Sequence, residues 1–373
     1  MVNYIKKVLT LLIFPIIVFA QNKTFSDLQK SGIEKFDKGD FYGAISDFND
    51  ALRINPSSDW MYYRLSYTKH ALEDYENSIK DINKAIELDE GYGNYYIFKG
   101  QINRDLENFY DAIDNITTGI SKLDPNDSLF YGNSFSFRGD IKSDDLEDFD
   151  SAISDYNEAI KYNPNYNNFL NRGFANSSIE NYEAALLDFN KGIELYTDED
   201  DEYKAFLYSV RASIKNNLEN YYGAIGDMSK AIELDKKNST YYQDRANYKF
   251  SLDDYKRTIP DLIKAIELNS DEEQDPPLKL MLAACTNWSG NPKRALEILE
   301  ESKSLFEEQY LSFLFLTAKA AINIGLNKYD ELEEGLGIDT KVGCSNLNEA
   351  LKISGIDDDT RKEAQELINK YCN

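Results

Sequence analysis

The sequence predicts an all-α fold, a solenoid of stacked helical hairpins, on three observations. First, one amphipathic pattern is restated along the chain. Phe41 to Pro56 reads FYGAISDFNDALRINP, Phe149 to Pro164 reads FDSAISDYNEAIKYNP, and Tyr75 to Glu90 reads YENSIKDINKAIELDE. Second, the aromatics Phe41, Tyr75, Phe109, Phe149, Tyr182, Tyr221 and Tyr255 follow one another at steps of 34, 34, 40, 33, 39 and 34 residues. A period of this size marks units that bury their apolar faces only against their neighbours. Third, 42% hydrophobic and 13% aromatic residues suffice for a long core, so the chain is globular rather than disordered.

Residues 1–20 carry Lys6 and Lys7, an apolar run from Val8 to Phe19, and Val18-Phe19-Ala20 before Gln21. A basic segment, a short apolar core and small exit residues describe a secretory signal peptide. The run is too short for a spanning helix, which takes roughly 20 residues. The expected product is a soluble exported protein, periplasmic or secreted, with no transmembrane span in the mature chain. The alternative is an uncleaved anchor.

From Phe25 onward each unit pairs a first helix with the second helix quoted above. Asp40, Asp74, Asn108, Asp148, Asn181, Asn220, Asp254 and Asn291 precede second helices, where a short side-chain oxygen can accept from an orphan backbone N–H. One turn inside runs a small column: Ala44, Ser78, Ala112, Ala152, Ala185, Ala224, Thr258 and Ala295. A further small column is Ala51, Ala85, Gly119, Ala159, Gly192, Ala231 and Ala265, with Phe48, Ile82, Ile116, Tyr156, Phe189, Met228 and Leu262 between the two. These columns read as core: small residues admit a neighbouring helix and large ones fill the remaining space.

With those columns in place the chain resembles the tetratricopeptide repeat. Tyr96-x2-Lys99-Gly100, Phe135-x2-Arg138-Gly139 and Phe169-x2-Arg172-Gly173 match the first-helix half of that signature. Ala44-x3-Phe48, Ala152-x3-Tyr156 and Ala185-x3-Phe189 match the second half, and Pro56 and Pro164 close their units. Five units carry a base where the family carries Leu. The resemblance implies a right-handed superhelix of about eight repeats over residues 21–308. Residues 309–373 then form an irregular ninth unit and closing helices, which cap the stack.

Two linkers exceed the period, Asp124 to Gly132 and Thr197 to Glu202. Neither shows the alternating oxygen ligands and turn glycine of a calcium loop. Leu305 to Ile324 is unusually apolar and reads as the first helix of the ninth unit, while Leu326 to Val342 fits no element. Cys344 to Ser354 and Thr360 to Cys372 read as two closing helices. An antiparallel pair would bring Cys344 and Cys372 to one end, where an oxidising compartment permits a disulfide. Closing about 29 residues would contribute roughly 3–4 kcal/mol. Cys285, beside Ala283 and Ala284, reads as a small core residue.

A base recurs in the first helices at Lys99, Arg138, Arg172, Arg211 and Arg245, and an acid in the second helices at Asp47, Asp81, Asp155, Asp188, Asp227 and Asp261. Ion pairing, within a unit or with the next, is expected, because a partly buried charge needs a partner. The net charge of −25 repels phosphate backbones, so nucleic acid is not an expected partner. That acidity keeps a solenoid in solution, or serves a basic partner or loosely held divalent cations. The chain has a single histidine, His70, and lacks a nucleophile elbow, a phosphate loop and a dinucleotide fingerprint. No catalysis, metal or cofactor is expected.

In the tetratricopeptide family the first helices line a concave groove where ligands lie. By register this implies Trp60, Tyr63, Tyr67 and His70 in the second unit and Asn94, Ile97, Gln101 and Arg104 in the third. It implies Asn167, Leu170 and Phe174 in the fifth unit, and Gln243, Asn247 and Phe250 in the seventh. The lysines with which chaperone-binding members clamp a terminal carboxylate are missing at those places. Amides and aromatics suit an extended peptide. The expectation is therefore a non-catalytic protein-interaction scaffold of the bacterial cell envelope. A glycan-binding accessory protein using the same groove is the alternative, and Trp60 and Tyr63 packing only on the first unit is the plainer reading of those two rings.

Overall fold

The structure is a computed structural model and describes residues 23–197, 199–269, 275–303, 318, 321, 339–354 and 356–372. The expected signal peptide and most of both the apolar stretch after Leu305 and the Gly- and Glu-rich stretch lie outside the described residues; the end of the latter, Thr340 to Val342, belongs to a helix. The chain divides into two compact units with a boundary between Pro164 and Asn165.

The first unit holds four helical hairpins: α1 (Phe25–Asp37) with α2 (Phe41–Ile54), α3 (Asp59–His70) with α4 (Tyr75–Leu88), α5 (Gly93–Asp105) with α6 (Phe109–Lys122), and α7 (Ser128–Asp140) with α8 (Phe149–Tyr162). A π-helical turn, Ile141–Asp145, extends α7. It takes up one extra residue: Gly139 and Ala152 stand thirteen apart, against twelve for Gly100 and Ala112.

The second unit continues with α9 (Tyr166–Ser178) and α10 (Tyr182–Leu195), α11 (Asp201–Asn217) and α12 (Tyr221–Leu234), α13 (Ser239–Ser251) and α14 (Tyr255–Leu268), and α15 (Asp275–Trp288) and α16 (Pro292–Glu301). Two further helices, α17 (Thr340–Ala350) and α18 (Asp358–Tyr371), pack through Leu347 and Ile368. A disulfide joins Cys344 to Cys372, with sulfurs 2.09 Å apart. Cys285 is fully buried, and burial pushes its thiol up to about 12.

The core is the set of columns read from the sequence. Ala44, Ser78, Ala112, Ala152, Ala185, Ala224, Thr258 and Ala295 are all completely buried. So are Phe48, Ile82, Ile116, Phe189, Met228 and Leu262. First-helix glycines permit this approach: a Cβ on Gly100 would lie 2.5 Å from Ile116 Cγ1. In α3 that register carries Ser66 instead. Its hydroxyl is satisfied by Ser78, donating to the carbonyl at 2.8 Å and lying 2.9 Å from Ser78 Oγ.

Of the eight residues preceding second helices, Asp40, Asp74, Asp148, Asn220, Asp254 and Asn291 accept a backbone N–H, as N-caps do. Asn108 and Asn181 occupy the position without that bond. Between first and second helices the chain turns through a left-handed residue. Only Gly39 and Gly290 are glycine there; Glu73, Glu107, Glu147, Glu180, Glu219 and Asp253 hold φ between 54° and 60°.

Where a hairpin carries both, the base and the acid pair inside it rather than with the next unit. Arg138 grips Asp155 through two parallel bonds of 2.9 and 2.6 Å, and Arg172, Arg211 and Arg245 grip Asp188, Asp227 and Asp261 in the same way. A second base, one turn further along the first helix, joins the same carboxylate. Lys142 reaches Asp155 at 2.8 Å, Lys215 reaches Asp227 at 2.6 Å and Lys249 reaches Asp261 at 2.7 Å. In the first two hairpins Lys35 and Lys69 are the lysine partners of Asp47 and Asp81. Lys99 has no such acid, because Asn115 stands at that register.

Candidate partner-binding surface

The first-helix residues assigned to the groove separate into three groups. Leu170 does not line a groove: it is 1% exposed and sits in the core of its hairpin. A Cβ at Gly192 would approach Leu170 Cδ2 to 2.5 Å, so the missing side chain on α10 makes the room that Leu170 fills. Ile97 is half-buried: it packs over Gly119 against the α6 core and keeps part of its surface open. Register alone places Leu170 outward; the glycine opposite turns it in.

A second group forms a continuous aromatic seam in the first unit. Trp60, Tyr63, Tyr67 and His70 share one face of α3, following the helical repeat. Tyr67 lies 5.3 Å from the Phe36 ring and 5.4 Å from Phe98, bridging the hairpins on either side. Tyr63 packs at 5.4 Å on Tyr95 and 5.5 Å on Phe98, so it leans on the third hairpin rather than the first. Trp60 leans the other way, against the core of α1 and α2. Tyr67 keeps 37% of its surface open.

Polar links lock the seam. His70 Nε2 lies 2.5 Å from Asp105 Oδ2, and the ring also meets Tyr75 and Phe98. Arg104 donates to Asp145 at 2.7 Å, tying the third hairpin to the fourth. The Tyr95 hydroxyl donates to Asp59 at 2.7 Å; burial first, then that carboxylate, pushes its phenol well above the usual range. Burial likewise raises Tyr63. On α5, the helix of Tyr95 and Phe98, Gln101 is exposed, and Asn94 is half-buried and donates to Tyr92 Oη.

Arg64 is a component that the register did not single out. Its guanidinium carbon stands 5.2 Å from the centre of Phe36, 5.5 Å from Trp60 and 5.7 Å from both Phe48 and Tyr67. Its buried Nε has no hydrogen-bond partner. The signal was present in the sequence, as a base between Tyr63 and Tyr67 off the aspartate-pairing register.

The third group lies in the second unit and is more scattered. Asn167 and Asn247 are exposed, and Gln243 is half-buried. Phe174 meets Phe189 edge-on at 4.9 Å and lies 6.4 Å from Phe206, itself 43% exposed. Phe250 packs 5.8 Å from both Tyr255 and Trp288. Among the described residues, no group of three or more His, Cys, Asp and Glu side chains is placed to hold a metal ion, and no helix is long and apolar enough to cross a membrane.

Comparison with known proteins follows the same repeat. The tetratricopeptide repeat family model matches residues 61–92 and 135–166. The TPR repeat-containing protein MJ1428 of Methanocaldococcus jannaschii is 28% identical over 60% of this chain and 42% of its own length. The Hsp70-Hsp90 organizing protein of Triticum aestivum is 26% identical over 34% of this chain and 23% of its own. The chain thus spans less than half the length of these relatives. Among solved structures, the MamA protein is 24% identical, with a TM-score of 0.41, over 46% of this chain and 91% of that one.

Proposed function

Because this chain belongs to the tetratricopeptide-repeat family, we propose that it is a non-catalytic scaffold presenting a pre-formed aromatic seam to an extended segment of a partner protein. The carrying observation is the fixed ring cluster of Tyr63, Tyr67 and Phe98, held by hairpins on both sides and left partly open at Tyr67. Rings already immobilised by neighbours lose little entropy on binding, and aromatic anchors dominate binding energy at interfaces. Gln101 and Asn94 add donors and acceptors for a peptide backbone. A relative named as an Hsp70-Hsp90 organizing protein, of which this chain spans 23%, fits an adaptor role. The saccharide alternative has no observation of its own in its favour.

In this reading the protein works in an exported compartment of a bacterial envelope, on the strength of Lys6, Lys7 and the run from Val8 to Phe19. Terminal sequencing of the secreted fraction should find Gln21 as the first residue, and an intact Met1 terminus would remove this part. The scaffold is tested by affinity capture from envelope extract with the wild-type chain and a Tyr67→Ala, Gln101→Ala double variant. Because Tyr67 also packs on Phe36 and Phe98, the helical spectrum and melting temperature of the variant are matched to those of the wild type before capture. A partner held by the first bait and lost from the second supports the seam; equal capture by both removes it.

A further inference from the structure

The second unit contains a cleft of about 590 Å³ walled by α14, α15 and α16. Its origin is a local break in the repeat. At one outward register of the second helices, six successive hairpins carry Asn49, Asn83, Thr117, Asn157, Asn190 and Ser229, and α14 carries Ile263. Three of those polar side chains accept from the arginine of the following first helix. Arg138 Nη1 donates to Thr117 Oγ1 at 2.8 Å, Arg211 Nη1 to Asn190 Oδ1 at 3.0 Å and Arg245 Nη1 to Ser229 Oγ at 3.0 Å. Between α14 and α15 both ends of that link are apolar, because Leu282 holds the arginine register. Ile263 and Leu282 both line the cleft, and Ile263 is 43% exposed.

Ile259, Ile266 and Ile298 extend the apolar wall. The charges around it are unevenly satisfied. Glu267 is bound by Lys264 at 3.1 Å and Glu301 by Arg294 at 2.9 Å. The side chains of Lys256 and Lys279, also in the wall, make neither an ion pair nor a hydrogen bond among the described residues. In a chain of net charge −25, two lysines on an apolar cleft with no ion-pair partner among the described residues are a local inversion of the surface. The volume falls in the range of small-molecule sites, roughly 300–1,000 Å³.

We propose that this cleft binds an aliphatic carboxylate, a fatty-acid-class amphiphile. Its chain lies along Ile259, Ile263 and Ile266, and its head group meets a lysine of the wall, Lys256 or Lys279. Burying the chain drives association and the lysine selects the anionic head.

The test is calorimetric titration of the full chain with dodecanoate, dodecanol and dodecyltrimethylammonium. Saturable binding of one dodecanoate is expected, with dodecanol about tenfold weaker or worse and the cation not binding. Ile263→Asn restores the residue type of the other hairpins at an exposed position, and should weaken dodecanoate at least about tenfold with an unchanged helical spectrum. Lys256→Ala or Lys279→Ala should weaken dodecanoate and leave dodecanol unaffected. The proposal is overturned if dodecanoate does not bind, if Ile263→Asn binds it as well as the parent, if neither lysine variant matters, or if the cationic amphiphile binds equally.

Discussion

Replacing Asp227 by asparagine keeps the shape of the side chain and removes its charge, and the effect can be worked from the contacts. Asp227 is 3% exposed and takes two bonds of 2.7 Å from Arg211 and one of 2.6 Å from Lys215. The side chains of Arg211 and Lys215 are 12% and 16% exposed, so water cannot take over their solvation. Removing the acid leaves two largely buried cations facing one neutral amide, a loss of about 3–5 kcal/mol. The pH dependence has a definite sign. Burial alone would raise the Asp227 carboxyl, but the bonds from Arg211 and Lys215 outweigh it and hold the group below its ordinary value of 3.8. A depressed carboxyl stabilises the fold above its unfolded pKa, and that stability is lost as pH falls through the folded value. The deficit of Asp227→Asn should therefore be complete at pH 7 and shrink below about pH 4. Asp81 is the internal comparison. Among the described residues its one ion-pair partner is Lys69, and burial keeps its carboxyl raised. A raised carboxyl contributes below its unfolded pKa and loses that contribution as pH rises through the folded one, so Asp81→Asn should be neutral or stabilising at pH 7. Urea unfolding by circular dichroism, with hydrogen exchange of the α11 and α12 amides, reads both. A deficit under about 0.5 kcal/mol for Asp227→Asn, or one equal to that of Asp81→Asn, would refute the reasoning.

Other outcomes follow from single features. Glu219 holds φ at 57°, so Glu219→Gly should raise stability by about 0.5–1 kcal/mol and Gly39→Ala should lower it by a similar amount, read as opposite shifts in melting temperature. Leu170→Ala should cost about 2–5 kcal/mol in urea unfolding, and Asn167→Ala close to nothing, because only Leu170 is buried. Cys344→Ser should cost the α17–α18 pair roughly 3–4 kcal/mol and appear as faster hydrogen exchange there, with α9 to α14 unchanged.

What was legible in the sequence was whatever repeats. The small and large columns, the N-cap positions and the arginine–aspartate pairing each recur often enough for one unit to identify the next. Nothing in the sequence marks Lys142, Lys215 and Lys249, because lysines are common on helix faces; only three-dimensional convergence on one carboxylate gives them a role. The π turn after Asp140 was hidden inside a 40-residue step ascribed to the loop before it. Register cannot place Leu170, because it describes a helix in isolation, whereas the direction of a side chain depends on the residue opposite. Arg64 lay off every column, and its surroundings come from four rings on three helices.

The third nitrogen of the hairpin arginines also bears on how the chain yields to force. Arg211 and Arg245 each hold an aspartate in their own hairpin and reach back to the preceding one, so a pull on either is shared across two neighbours. Leu282 has no such arm. Tension on the α15–α16 hairpin would therefore meet one polar tie fewer than tension on the hairpins that begin with α11 and α13, and that hairpin should peel away before α11 to α14 separate.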